Sequence, residues 1–308
     1  MDSNINRAII KTLIYHDLFD YPLTAIELWR FLIWEEKELP DKKEFSDALT
    51  LKNGFCEKRG YYFLLGRGNI ILKRISRHYE SKAKNFQAQK TAAFLKIIPT
   101  IQFLGVSGSL SMNNSRAQDD IDLFIVTKKN TLWVTRFFVG IAVLLSGRKR
   151  NFKEKEVKDK ICLNMFVSED NLSFNQNLYI AHEIVQLKTL INRNNAYEKL
   201  LLNNGWVNNF LPNVIMDLNS QKKEKNLFSF LEKFIYFVDF AFFAVQYLYM
   251  KPKITTEKIE RGRAQFHPRD YSSHIISFYL ERCSLLIRGV DLDVSKLIRN
   301  NKISGDLN

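Results

Sequence analysis

Two apolar runs joined by a short spacer constrain this chain more than any other feature of its sequence. Residues 103–106 are apolar and β-prone, and Ser107, Gly108 and Ser109 interrupt them with small side chains. A second apolar run, within residues 119–126, begins about ten residues later. Because glycine permits a close backbone approach and the flanking hydroxyl and N–H groups can face a phosphate, we expect a strand followed by a phosphate-sized turn.

The second run carries acids where its strand is expected to begin. Asp120 and Asp122 alternate with the apolar Ile121 and Leu123. Side chains point to opposite faces in turn along a strand, so the two carboxylates are expected on one face. Two carboxylates on one face, close to a phosphate-sized turn, form a hard-oxygen site suited to Mg²⁺.

These two half-motifs resemble the signature of the nucleotidyltransferase superfamily, which has the DNA polymerase β-like fold. The signature is an apolar residue, Gly-Ser, a spacer and then Asp-apolar-Asp-apolar. Gly108-Ser109 and Asp120-Ile121-Asp122-Leu123 match it residue by residue, and the resemblance covers roughly residues 100–170. The alternative interpretation is a Gly-Ser turn and an acidic strand start in an unrelated α/β domain.

The resemblance implies the transfer of a nucleoside monophosphate from an NTP, expected to be ATP, to a hydroxyl acceptor. Ser107, Gly108 and Ser109 would hold the phosphates, and Asp120 and Asp122 would be the catalytic residues that hold Mg²⁺. The acceptor stays open between RNA, a protein side chain and a small molecule. The layout of the whole chain is similar to that of uncharacterised prokaryotic nucleotidyltransferase-domain proteins.

Asn164 departs from the family pattern. In that family a third acid often lies on a later strand facing the first two, and Asn164 has the matching position in the strand predicted at residues 160–167. The resemblance therefore makes Asn164 a third metal ligand. An amide oxygen can coordinate Mg²⁺ but cannot accept a proton from an attacking hydroxyl as a carboxylate does. Two alternatives follow: a non-catalytic nucleotide- or nucleic-acid-binding protein, and a DNA-binding regulator built on the N-terminal region.

The N-terminal region predicts three helices and a hairpin, an arrangement similar to a winged helix. Helical spacing over residues 4–19, a capping box that begins at Thr24 and a helix start near Asp41 give the helices. Arg59 and Gly60, between two short β-prone runs, give the hairpin. The third helix lacks base-reading residues at its front, so we expect weak, non-specific contact with nucleic acid.

The whole chain predicts an α+β fold with four parts. These are a winged-helix-like domain (1–68), a connecting helix (69–99), a nucleotidyltransferase-like domain with a mixed β-sheet and flanking helices (100–213), and a helical C-terminal region (214–308). The connecting helix is expected to bury its apolar side, which carries Ile71, Ile75, Tyr79, Phe86, Ala93, Phe94 and Ile97.

Two further polar groups are candidates for ligand binding. His182, Glu183 and Gln186 lie in a helix predicted over residues 178–191, where no second histidine completes a zinc motif. A basic cluster that suits a triphosphate or an RNA backbone consists of Lys258, Arg261, Arg263, His267 and Arg269. For both groups the simpler interpretation is a solvated polar surface.

Charge and cysteine content indicate the kind of partner and the compartment. The formal net charge is +13 and the pI is about 9.5, which favours anionic partners. The three cysteines lie far apart in sequence, as is typical of a reducing compartment, so a cytoplasmic location is expected. The apolar stretches 131–146 and 234–250 each contain a charged residue, so we expect buried helices and no transmembrane segment, with membrane-surface contact as the alternative for the second.

Overall fold

The computed structural model describes residues 4–150, 156–214, 229–254, 257–266 and 271–287. Within these ranges the chain forms an α+β structure with a small antiparallel sheet near the N-terminus and a larger mixed sheet in the centre. Helices flank both sheets. The predicted tail beyond residue 300, the linker at 221–225, and His267 and Arg269 of the basic cluster lie outside the described residues.

The N-terminal region contains three helices and a three-stranded sheet. The helices are α1 (Asn4–Asp17), α2 (Ala25–Arg30) and α3 (Lys42–Leu51), and the strands are β1 (Leu23–Thr24), β2 (Phe55–Lys58) and β3 (Tyr61–Leu64), paired in the order β1-β3-β2. The predicted hairpin is confirmed, with Lys58 opposite Tyr61 across the turn. The second helix, which begins at the predicted capping box, ends at Arg30.

Side-chain caps explain where two of these helices begin. Thr24 accepts a hydrogen bond from the Glu27 N–H, and the Glu27 carboxylate accepts one from the Thr24 N–H, which completes the predicted capping box. Asp41 caps α3 by accepting a hydrogen bond from the Glu44 N–H at 2.8 Å. Both predicted helix starts are confirmed.

The connecting helix, α4 (Ile70–Leu95), exists as predicted, and Ile71 of its predicted apolar side is buried, but further along the helix a different side packs inward. Tyr79 is 65% exposed and Phe86 54% exposed, whereas Arg74 and Lys84 are buried. Arg74 donates to Glu27 at 2.8 Å. The helical period locates an apolar stripe, but it does not show which stripe meets a neighbour. The polar side can pack inward here because Arg74 and Lys84 have hydrogen-bond partners. The side chains of Ala88 and Ala92 are also small enough to be buried there.

The central sheet has six strands in the order β7-β4-β5-β6-β9-β8. They are β4 (Ile101–Val106), β5 (Ile121–Thr127), β6 (Ile161–Ser168), β7 (Lys188–Asn192), β8 (Lys258–Glu260) and β9 (Arg263–Gln265). β5 and β6 pair in parallel and every other neighbouring pair is antiparallel, which makes the sheet mixed. A parallel pair needs a crossover, and α6 (Leu132–Leu145) lies in the β5–β6 connection.

Two hydrophobic cores cover the faces of this sheet. The first core joins Phe103 and Phe124 to the apolar sides of α7 (Leu178–Val185), α8 (Ala196–Asn203), α10 (Tyr271–Leu286) and the N-terminal helices. The second core joins Leu104, Leu123 and Ile125 to Trp133 of α6 and to part of α4. Alternate residues of β4 and β5 therefore feed opposite cores, as the strand period requires.

Two predicted assignments in this part of the chain are wrong. Residues 178–191 are not one helix, because α7 ends at Val185 and residues 188–192 form β7 on the sheet edge beside β4. The C-terminal region is not wholly helical either, because β8 and β9 extend the central sheet. The periodicity of a short apolar run does not distinguish a strand from a helix. Whether such a run forms a strand depends on a partner strand that lies far away in the sequence.

The apolar helix α9 (Ser229–Met250) packs beside α6 through a buried acid. Asp239 accepts hydrogen bonds from the backbone N–H groups of Trp133 (2.7 Å) and Val134 (3.0 Å), which lie in the first turn of α6. An acid at a helix N-terminus also complements the helix dipole. Among the described residues, no helix has both the length and the apolar character that crossing a membrane requires.

Candidate functional site

The turn after β4 is held directly against the acid-bearing strand. The Ser107 N–H donates to the Asp122 carbonyl oxygen at 3.0 Å, which continues the antiparallel pairing of β4 and β5 by one residue. Gly108 follows with φ +63°, in the left-handed region, and opens the four-residue helix α5 (Gly108–Ser111). A Cβ at Gly108 would lie 3.1 Å from Asp122 Oδ2, so the absence of a side chain permits this approach.

The spacer between the turn and β5 is fixed by Asp119 and Lys84. The Asp119 carboxylate accepts hydrogen bonds from the Arg116 N–H at 2.8 Å and from Ser109 Oγ at 3.3 Å. Lys84 Nζ, reaching over from α4, donates to the Asp119 carbonyl at 2.6 Å and to the Asp159 carboxylate at 2.6 Å. The sequence showed Lys84 only as one of several cations on α4, and no local signal marked it as a support for this loop.

Asp120 and Asp122 converge as the strand alternation predicts. Their carboxylate oxygens and the Cys162 sulfur all lie within 4.8 Å of one another. Arg150 Nη1 donates to Asp120 Oδ2 at 2.5 Å and lies 3.8 Å from Cys162 Sγ, so a cationic group already faces this cluster. Burial, reinforced by the neighbouring Asp120 carboxylate, raises the pKa of Asp122 to about 7, while a hydrogen bond with the Cys162 thiol opposes that rise.

A register shift in β6 decides which of its residues lies beside the acids. Asp122 pairs with Cys162, but Phe124 pairs with Met165, so β6 carries one extra residue between these two pairs. Such a bulge reverses the alternation of side chains along the strand. In agreement, Met165 packs in the first core with Phe124, whereas Phe166 packs in the second core.

The bulge bears on the position of Asn164. Regular strand alternation would put residues 162, 164 and 166 on one face, but that alternation does not hold across the extra residue. Asn164 is 5% exposed and is not among the residues that line the adjoining cavity, whereas Cys162 is. Its backbone carbonyl accepts a hydrogen bond from the Phe266 N–H at 3.0 Å. The metal-ligand role of Asn164 stays a prediction, and the residue opposite Asp122 is Cys162.

A cavity of about 1060 Å³ opens beside this cluster. The N-terminal region contributes Tyr15, His16, Phe19 and Tyr21 to its lining. The lining also includes Gly108, Ser109, the acids Asp119, Asp120 and Asp122, and the cations Arg136, Lys149 and Arg150. Ser107 is not among the lining residues, and its N–H is engaged in the strand pairing. Of the three residues expected to hold phosphates, Gly108 and Ser109 therefore face the cavity.

Glu183 is the acid that the sequence interpretation undervalued. It lies on α7 and lines the cavity, and burial raises its pKa to about 7 although a hydrogen bond from Tyr179 lowers it. Its negative charge contributes to the raised pKa of Asp122, and both side chains line the same cavity. Its neighbour His182 is buried and stacks on Tyr15 with ring centroids 4.1 Å apart, so His182 serves packing.

The described part of the predicted basic cluster has structural partners. Arg263 donates to the backbone carbonyls of Asn171 (2.9 Å) and Ser173 (2.6 Å), and the Arg261 guanidinium lies 4.0 Å from the centre of the Tyr236 ring. Lys258, Arg261 and Arg263 are not among the residues lining the cavity. Arg150 is the cation in direct contact with the acids, since it pairs with Asp120, and Lys149 and Arg136 also line the cavity.

Comparison with known proteins does not identify a family for this arrangement of residues. No family model, no curated protein and no solved structure matches the chain. The functional argument therefore depends on the site itself.

Proposed function

We propose that this protein is a Mg²⁺-dependent nucleotidyltransferase, with a polymerase β-like catalytic sheet and an N-terminal winged helix. The observation that carries the proposal is the approach of Gly108 to Asp122, which sets a glycine turn and two converging carboxylates side by side in the wall of a large cavity. A metal-bound triphosphate needs both parts at once, because its oxygens bind the cation and also need close backbone groups.

The carboxylates of Asp120 and Asp122 are suited to hold the cation. When bound, Mg²⁺ supplies charge neutralisation at the phosphoryl group that is transferred. Gly108 and Ser109 face the phosphates from the turn, while Lys149 and Arg150 offer positive charge in the lining of the same cavity. For phosphoryl transfer, positioning and electrostatic stabilisation of this kind supply most of the catalysis.

Glu183 is suited to accept the proton of the acceptor. A general base works best when its pKa lies near the working pH, and the pKa of Glu183 is raised to about 7. The acceptor oxygen forms a bond to the α-phosphorus, the bond from that phosphorus to the β-phosphate oxygen breaks, and pyrophosphate leaves. The acceptor hydroxyl proton passes to the Glu183 carboxylate.

The cavity is large for a site that holds one small ligand. Pockets for a single drug-sized ligand are typically about 300–1,000 Å³, and this cavity reaches the upper limit of that range. In the proposed reaction the nucleotide lies beside the acids, and the aromatic residues from the N-terminal region are the candidates for contact with the acceptor. RNA, a protein side chain and a small molecule all remain candidates for it.

One observation favours the alternative of a non-catalytic nucleotide-binding protein. Arg150 is paired with Asp120 at 2.5 Å, and a cation so close to the acids competes with a metal. A protein of this kind would bind nucleotide through the cations that line its cavity without needing Mg²⁺.

Calorimetry of ATP binding with and without Mg²⁺ tests the proposal. We expect Mg²⁺ to strengthen binding in the wild type, and we expect Asp120→Asn and Asp122→Asn to remove that effect. Asp47→Asn, at an exposed position of α3, is the matched control. Equal affinity in all four proteins would refute the metal role. Release of pyrophosphate by the wild type but not by Glu183→Gln, with ATP binding intact, would separate the enzyme from the non-catalytic alternative.

A further inference from the structure

Cys162 brings a sulfur ligand into a cluster that otherwise contains only oxygen. The parallel pairing of β5 and β6 sets Cys162 directly beside Asp122, and the bulge after it fixes that side of the strand. Its thiol is free of any disulfide and is hydrogen-bonded to the Asp122 carboxylate. The soft donor is therefore fixed in the site by the backbone.

The spacing of the three ligand atoms suits a small divalent cation. Ligands held about 2.0–2.3 Å from a tetrahedral zinc lie roughly 3.3–3.7 Å from one another. The two carboxylate oxygens and the sulfur already lie within 4.8 Å of one another, so side-chain rotation has to close about 1.5 Å at most. Three protein ligands with an open position towards a cavity is the usual layout of a reactive zinc site.

Arg150 is the group that a cation at this position has to displace. Its guanidinium contacts both Asp120 and Cys162 and neutralises part of their negative charge. Gly108 favours access to the site, because the space that its missing Cβ leaves beside Asp122 Oδ2 keeps that oxygen accessible.

The donor set decides which cation fits best. Magnesium prefers oxygen ligands throughout and gains little from sulfur, whereas a thiolate favours zinc and related ions. We propose that Asp120, Asp122 and Cys162 form a three-ligand centre for a thiophilic divalent cation of the Zn²⁺ class, which binds there more tightly than Mg²⁺. On binding, a sulfur–metal bond forms and the thiol proton passes to the solvent. The inference uses the metal site of the proposed function but does not depend on nucleotide transfer.

Cobalt is a suitable probe because thiolate coordination to Co²⁺ produces a charge-transfer absorption in the near ultraviolet. The full chain is stripped with a chelator and titrated with Co²⁺, and Zn²⁺ affinity is then measured by competition. We expect the band in the wild type to saturate at one equivalent. We expect Cys162→Ser to lose the band and to bind Zn²⁺ at least about tenfold more weakly. Cys56→Ser is the matched control, since Cys56 is also partly exposed but lies in β2, and it should behave like the wild type.

A second variant keeps the test decisive if the serine substitution disturbs folding. Cys162→Asp replaces sulfur by oxygen, so it should lose the band while its affinity for Mg²⁺ rises. A band that persists in either Cys162 variant, or a folded wild type without a band, overturns the inference. Calorimetry of ATP with Mg²⁺ on the same samples separates the two proposals. Mg²⁺-dependent ATP binding without a cobalt band refutes only the thiophilic centre, and a band without ATP binding refutes only the nucleotidyltransferase.

Discussion

Replacing Gly108 by alanine perturbs the contact on which the proposed function depends. The residue has φ +63°, and an added Cβ would lie 3.1 Å from Asp122 Oδ2. Two separate costs follow: the backbone conformation disfavours any L side chain, and the Asp122 carboxylate has to move by a few tenths of an ångström.

Gly66 separates these two costs. It has φ +78°, and a Cβ there would meet no atom within 4 Å. Alanine at either position should lower the free energy of unfolding by about 1–2 kcal/mol, the usual cost of a left-handed conformation for a residue with a side chain. Only Gly108→Ala displaces Asp122, which the proposed function makes a metal ligand. We expect it to weaken Mg²⁺-dependent ATP binding about tenfold further, which corresponds to about 1.4 kcal/mol.

Urea denaturation measures the first cost and calorimetry with ATP and Mg²⁺ measures the second. The expected pattern is a similar loss of stability in both variants and a loss of nucleotide affinity in Gly108→Ala alone. If Gly108→Ala binds nucleotide as tightly as Gly66→Ala does, the close approach to Asp122 has no functional role and the reasoning fails.

Four further outcomes are expected from the same structure. Asp239→Ala should lower the free energy of unfolding by about 1–3 kcal/mol, because two backbone N–H groups of α6 lose their acceptor. Urea denaturation measures this free energy, and an unchanged value would show that water replaces the carboxylate as acceptor. Burial, with the Arg74 charge nearby, lowers the pKa of His16 to about 3 from an ordinary value near 6.5. The neutral His16 therefore contributes fully to the free energy of unfolding above pH 6.5. As the pH falls from 6.5 towards 3, this contribution is lost by up to about 1.4 kcal/mol per pH unit. Urea denaturation at pH 7 and pH 5 measures the free energy of unfolding, which should fall less between these pH values in His16→Asn than in the wild type. The control His78→Asn, at an exposed position, should show the same fall as the wild type. The Mg²⁺ affinity of Asn164→Ala, compared with those of Cys162→Ser and the wild type, shows whether Asn164 belongs to the metal site. If Asn164→Ala binds Mg²⁺ as tightly as the wild type does, Asn164 is not a metal ligand. The net charge of +13 should give nucleic-acid binding that is independent of sequence and weakens steeply with salt in gel shifts, and tight binding to one duplex at high salt would contradict this.

Local sequence patterns correctly predicted those helices and strands whose ends are determined by residues within the element or next to it. Thr24 and Asp41 mark helix starts because a side chain at the cap satisfies a backbone N–H that the helix leaves unpaired. Asp120 and Asp122 were placed on one face because strand alternation holds within a single strand. In each case the information lies within a few residues, so one sequence is sufficient.

The same reasoning could not find features that arise from pairing between distant segments. The extra residue in β6 shows only in its pairing with β5, and it is the reason why Cys162 rather than Asn164 lies in the cavity wall beside Asp122. Glu183 looked like one more polar residue on a helix, because its burial depends on where α7 packs. A one-residue change of register moves every later side chain to the other face, and no local pattern reports it.

The N-terminal region is joined to the central sheet and its helices more closely than a separate binding domain would be. Asp17 of α1 bonds to Arg67 at 2.6 Å and to Arg282 of α10, so one buried carboxylate joins segments from both ends of the described chain. Tyr15 stacks on His182 of α7, and the first core is continuous from α1 to α10. Removing residues 1–68 would therefore expose the apolar side of α7 and open the cavity wall next to Glu183. In the proposed function, the N-terminal region therefore contributes part of the surface that would contact the acceptor, and this role needs no reading of DNA bases.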